Sequence, residues 1–166
     1  MNPLLTATLF LLAALNSFPQ DKPVAQDDHH QGVVDRGDHV MGFSHDKATH
    51  HFRLYGDGGA IEVESNVADD AATRDEIRMH FGHIAKMFAA GDFSAPMLIH
   101  AQNPPGVEAM KRLRETIQYK LENTERGARI RITTKNAEAI EAVHKFLRFQ
   151  IADHQTGDSL EVAGPR

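Results

Sequence analysis

The sequence predicts an α+β domain: a four-stranded antiparallel sheet made from two hairpin-helix (ββα) units, with helices packed on one face. Three observations predict it. Two stretches alternate apolar and polar residues around glycine-bearing turns, each is followed by a segment whose apolar residues recur at helical spacing, and each of those segments ends in Gly-Asp. A lone hairpin exposes an apolar side that has to be covered, so joining two into one sheet beneath a shared helix layer is the economical arrangement.

The first twenty residues carry no charged side chain. The apolar run from Leu4 to Leu15 has the length of a signal-peptide core and is too short to cross a hydrocarbon layer of roughly 30 Å as a helix. Residues 1–20 therefore read as a signal peptide, which places the mature chain in the periplasm or outside the cell, with no membrane span after removal. Cleavage is expected after Ser17, although Leu15 rather than a small residue stands three places back, and no Lys or Arg precedes the run. The alternative is an uncleaved amphiphilic anchor or a buried N-terminal helix. Residues 21–39 are polar, contain Pro23, Gly32 and Gly37, and read as a flexible tether. The single domain is expected over 40–160, with a C-terminal tail at 161–166.

From His51 to Ser65, Phe52, Leu54, Ile61 and Val63 face one side, and Arg53, Tyr55, Glu62 and Glu64 the other. Gly56-Asp57-Gly58-Gly59 supplies the reversal, giving a hairpin with one buried face. Asp69 and Asp70 offer capping oxygens ahead of a helix carrying Ile77, Phe81, Ile84 and Phe88, which stops at Gly91-Asp92. A loop with Pro96 and Met97 follows. Asn103-Pro104-Pro105 then starts a second helix with Val107, Met110 and Leu113 inward, since Pro costs nothing in a first turn. Ile117, Tyr119 and Leu121, then Ile130 and Ile132, mark the second hairpin around a turn from Asn123 to Gly127. Asn136 caps a last helix with Ile140, Val143, Leu147 and Ile151. Gly59-Ala60-Ile61-Glu62-Val63 lies alongside Gly127-Ala128-Arg129-Ile130-Arg131, which suggests duplicated halves.

Composition narrows the chemistry. At 166 residues with 41% hydrophobic and 25% charged side chains, the chain holds one ordinary core. A net charge of -5 gives no attraction to phosphate backbones or anionic lipid, so nucleic acid is not an expected partner. There is no Cys, which excludes disulfides, zinc ribbons, iron–sulfur clusters and thiol catalysis. The 11 His and 6 Met leave imidazole, thioether and carboxylate as metal ligands.

His80, His83 and Met87 stand at i, i+3 and i+7 and project from one stripe of the first helix, beside its apolar face. Nitrogen with thioether ligation suits a copper ion, and His sites also accept zinc, whereas magnesium and calcium want oxygen. Further candidates are His50 and His51 at the first strand, Met97 and His100 after the helix, and His39, Met41 and His45 before the domain. Alternation turns His50 toward the helix layer and His51 away. A site joining His80, His83 and His100 with His50 or Met97 is one such arrangement. The plainer reading makes the helical His pair boundary residues bonded to backbone or water, and Met87 core filler. Asp27-Asp28-His29-His30 reads equally as a loose metal trap or a solvated run. His144 and His154 fall on the inner stripe of the last helix as satisfied buried residues, while Phe146 and Phe149 point to its other side, as a dimer or partner surface or beneath a second layer. No Walker loop, Gly-x-Ser-x-Gly elbow or His-Glu-x-x-His pair is present.

Met41-Gly42-Phe43 with Thr49-His50-His51-Phe52, then His80-Phe81-x-His83-Ile84 and Ala89-Ala90-Gly91-Asp92-Phe93, resembles a group of small exported bacterial proteins that bring no assigned activity with them. Some similar chains carry an aspartate carbamoyltransferase designation. This chain is too short for the two-domain catalytic subunit, lacks its Ser-Thr-Arg-Thr phosphate motif, and has no Cys for the zinc site of the regulatory subunit. The leading expectation is an exported metal-binding or metal-handling protein using copper or zinc at His80 and His83, completed from Met87, His50, His51, Met97 and His100. A non-catalytic interaction domain or homodimer contact through Phe146 and Phe149 is the rival, and a small enzyme using His as acid or base comes third.

Overall fold

The computed structural model describes residues 24–164; the signal peptide expected over 1–20 lies outside the described residues. Within them the main elements run α1 (Val24–Met41), β1 (Ala48–Tyr55), β2 (Gly58–Ser65), α2 (Ala71–Ala89), α3 (Ser94–His100), α4 (Val107–Arg112), β3 (Ile117–Asn123), β4 (Gly127–Thr134) and α5 (Ala137–Asp153). The strands form one antiparallel sheet in the order β1-β2-β4-β3. The expected α+β architecture of two hairpin-helix units is therefore the fold, with α2 and α5 on one face of the sheet. Among the described residues no helix is long and apolar enough to cross a membrane.

The helices cross over. α2 packs chiefly on β3 and β4, and α5 on β1 and β2, so each unit's helix covers the other unit's hairpin. Neither half can bury its own apolar face, which makes the two halves one cooperative core. Asp70 caps α2 by accepting the Thr73 N–H, and Asn136 caps α5 by accepting the Ala139 N–H, as the sequence signals require.

The two halves correspond in register, shifted by one residue from the sequence alignment. β2 pairs with β4 so that Ile61 faces Ile130, and Gly58, Ile61, Val63 and Ser65 correspond to Gly127, Ile130, Ile132 and Thr134. Inward-facing residues must superpose on inward-facing residues, and matching Gly59 to Gly127 would set Ile61 over the outward Arg129. The match extends to detail: Ser65 Oγ accepts the Val67 N–H as Thr134 Oγ1 accepts the Asn136 N–H. A side chain on Gly58 would strike the Ile132 carbonyl oxygen, and one on Gly127 the Val63 carbonyl oxygen. Gly127→Ala is thus expected to cost about 1–3 kcal/mol through backbone displacement at the central strand pair. A urea midpoint equal to that of the unsubstituted protein would refute this account of the pairing.

Four features depart from the sequence reading. Residues 24–39 are helical in α1 rather than a tether. Its inner stripe is Val33, Gly37 and Met41, four apart, and the central glycine removes the apolar periodicity that would have announced it. α1 lies on α3, held by His29 Nε2 to the Asp153 carboxylate at 2.9 Å and Arg36 Nε to the Ile99 carbonyl at 2.7 Å. Second, the loop with Pro96 and Met97 is α3. Pro96 occupies its third position, where the missing N–H has no intrahelical partner to lose. Third, Phe146 is no outer surface: it is 1% exposed, meets Phe88 and Phe93 nearly at right angles and lines an inner space with Ile61 and Ile130, so it lies beneath α2 and the chain that follows it. Fourth, the chain after α5 returns along the outer edge of β1. The Asp158 carboxylate accepts the Phe52 N–H at 2.9 Å, and the Ala163 N–H reaches the Leu54 carbonyl, so this edge is capped.

Candidate functional site

Between the sheet, α2, α3, α5 and the C-terminal end of α1 lies a cavity of about 70 Å³. Its body is apolar, formed by Phe52, Ile61, Phe81, Ile84, Phe88 and Phe146, and into it reach Met41, His50, His80, His100, Gln150 and His154. Each polar group arrives for a local reason. His50 alternates in phase with Phe52 and Leu54, so the pleat turns it inward as expected. His80 flanks Phe81 on the buried stripe of α2. His100 ends α3, His154 caps the C-terminus of α5, and Met41 is the last residue of α1.

His50 Nε2 lies 3.3 Å from the Met41 sulfur. The His50 ring stacks parallel on His154, 5.8 Å between centroids and 6° between planes, and His154 meets His100 edge-on at 4.9 Å. His80 stands edge-on to Phe43 at 6.0 Å. Among the described residues neither ring nitrogen of His80 or His154 has a hydrogen-bond partner. Burial, reinforced by the neighbouring imidazoles, lowers the pKa of His50 to about 4, of His80 to about 4 and of His154 to about 3. At neutral pH these rings are uncharged and keep a lone pair, the form in which imidazole ligates metal.

His100 differs. Its Nδ1 is bonded to the Asp153 carboxylate, which also takes His29 Nε2, and its Nε2 lies 2.9 Å from Gln150 Oε1. Burial pushes the Asp153 pKa up, but the two imidazole hydrogen bonds outweigh it and hold the carboxylate below its ordinary range. Both His100 nitrogens are engaged, so this ring locks α3 to α5 rather than offering itself to an ion or a substrate proton. Gln150, 4% exposed, is left with its Nε2 unpartnered.

The sequence candidates therefore divide. His80 and His50 share the cavity. His83 is exposed and lies with His80, Met41 and Met79 in a surface groove along α2. Met87 is packed against the core as filler. His51 faces away from the helix layer and bonds Asp158 at 3.0 Å. The Met97 sulfur sits 3.9 Å from Lys111 Nζ, outside the cavity lining. His144 donates to backbone, 2.9 Å from the Tyr55 carbonyl, the satisfied role expected of it. Met41 and His154 line the cavity but stand outside the leading ligand set that the sequence suggests. A Met at the end of a glycine-interrupted helix gives no pattern, and His154 shares its apolar stripe with residues that do nothing but pack.

Among the described residues no three His, Asp or Glu side chains are arranged as a metal site; beside the His50 and His80 rings stands the Met41 thioether. A larger depression of about 630 Å³ on the open sheet face, beside Tyr55 and Arg131, offers no free anion site. Arg131 is paired with Asp57 and stacked 4.6 Å over the Tyr55 ring, and Arg129 is paired with Glu122. No protein-family profile, curated protein or solved structure matches the chain.

Proposed function

We propose that this is an exported copper-binding protein that holds one soft ion, copper(I), between the Met41 thioether and the imidazoles of His50 and His80. The observation that carries the reading is the 3.3 Å separation of His50 Nε2 and Met41 Sδ at the wall of a cavity that His80 also lines. Metal bonds of about 2.0 Å to nitrogen and about 2.3 Å to sulfur span that separation with an angle near ~100° at the ion, suited to three or four ligands. A thioether selects copper(I) over zinc, and the pair of neutral nitrogens needs no proton removed. The uncharged apolar run at Leu4–Leu15 supports export, and with no Cys in the chain a thioether and imidazoles are the available soft ligands.

Anaerobic titration with copper(I) against a colorimetric chelator, followed by elemental analysis, is expected to give one equivalent per chain. The His50→Ala/His80→Ala variant should bind at least about 100-fold more weakly, since it loses two of three ligands. Equal uptake by both proteins, or zinc held as tightly as copper(I), would overturn the assignment.

A further inference from the structure

A groove outside the cavity adjoins the copper site proposed above, and any role for it in copper handling rests on that site. Met41 and His80 line both the inner cavity and the surface groove on α2, so the two spaces share a wall made of soft donors. Two more donors stand in the groove. Met79 is 74% exposed, with its thioether in solvent on a helix whose Ile77, Phe81, Ile84 and Phe88 are buried. His83 is exposed one helical turn from His80, a spacing at which two imidazoles can grip one ion. Among the described residues its ring has no hydrogen-bond partner.

The remaining groove residues set how tightly an ion is held there. Arg78 has its guanidinium tied to the carbonyls of Gly127 and Thr124, at 3.1 and 2.6 Å, and Lys86 is exposed nearby. These two cations disfavour a resident positive ion, and the groove is open to water. An ion bound by Met79 and His83 is thus held weakly and released readily, whereas the cavity side offers a thioether and neutral nitrogens in a more buried, apolar setting.

We infer that Met79 and His83 form an outer acquisition site for copper(I), from which the ion passes across His80 and Met41 to His50 by stepwise ligand exchange. The first exchanges are one for one and the last is an addition: His83 and Met79 take the ion in place of two donors of its carrier, His80 replaces Met79, Met41 replaces His83, and His50 then adds as the third ligand. The ion stays copper(I) throughout, so no oxidant or reductant is needed.

The test is the rate of transfer rather than its end point. Anaerobic stopped-flow mixing of the purified protein with a chromophoric copper(I)-chelator complex is compared with the Met79→Leu/His83→Gln variant. The expected result is a transfer rate at least about tenfold lower, with stoichiometry and final affinity unchanged. An unchanged rate overturns the relay and leaves the inner site standing. A lower stoichiometry or affinity also overturns it, by making Met79 and His83 part of the resident site. Failure of the unsubstituted protein to take up copper(I) removes both proposals.

Discussion

Lowering the pH of the metal-free protein from 7 to 4.5 is expected to cost on the order of 4 kcal/mol of folding stability. The sign is set by His50, His80 and His154, whose pKa values are about 4, 4 and 3 in the folded chain and return to the ordinary value of 6.5 when it unfolds. Below pH 6.5 the unfolded state takes up protons that the folded state refuses, so stability falls as pH falls, by up to about 1.4 kcal/mol per pH unit for each ring. The total is discounted by about half because the rings retain some contact with solvent. The share of His50 and His80 levels off near pH 4, where they protonate in place, and that of His154 near pH 3. Asp153 and Asp158, both held below their ordinary value, add their own loss only below that window. Urea midpoints measured across the range test the claim. His154→Phe should flatten the profile by removing one of the three rings, and a midpoint constant between pH 7 and 4.5 would show that the rings are not buried as described.

Phe146→Ala is expected to destabilise by about 3–5 kcal/mol, while Phe149→Ala costs about 1 kcal/mol. Phe146 is 1% exposed and closes an aromatic cluster with Phe88 and Phe93, whose own rings stack at 4.5 Å, so truncation opens a cavity that its neighbours cannot refill. Phe149 is half-buried and lies against the edge of His100, where water can enter the space left behind. Equal effects in a denaturant titration would refute the difference. The same pair separates packing from docking: a partner surface at these positions would leave folding untouched and alter the mass in solution.

Phe146 also shows why the sequence can be read only so far. The inner stripe of α5 is legible, because Val143, Leu147 and Ile151 repeat at helical spacing beneath an Asn136 cap. A second buried stripe beside it, Ala139, Ala142, Phe146 and Gln150, looks the same as an exposed aromatic face until the chain above it is placed. The strands announce themselves more fully. Strict alternation fixes which of two adjacent imidazoles turns inward, His50 rather than His51, with no help from the rest of the fold. What alternation cannot supply is the partner across the cavity. Met41 reaches His50 through the docking of α1, which uses polar side chains, Val33 and the half-buried Val40 and Met41, and no periodicity encodes it. α3 is hidden for a related reason, since Pro96 marks a loop in most settings and a first helical turn in this one.

That thin attachment gives α1 a mechanical meaning. Val33 is its one fully buried apolar side chain among the described residues; Val40 and Met41 pack on the core at its C-terminal end, and His29, His30 and Arg36 tie it to the ends of α5 and α3. An ion clasped between Met41 and His50 would staple the helix to the sheet, so occupancy and latching become one equilibrium, each strengthened by the other in proportion to free copper. The loaded protein should then resist proteolytic cutting within α1 and the empty one yield to it, which makes the helix a latch that reports its cargo.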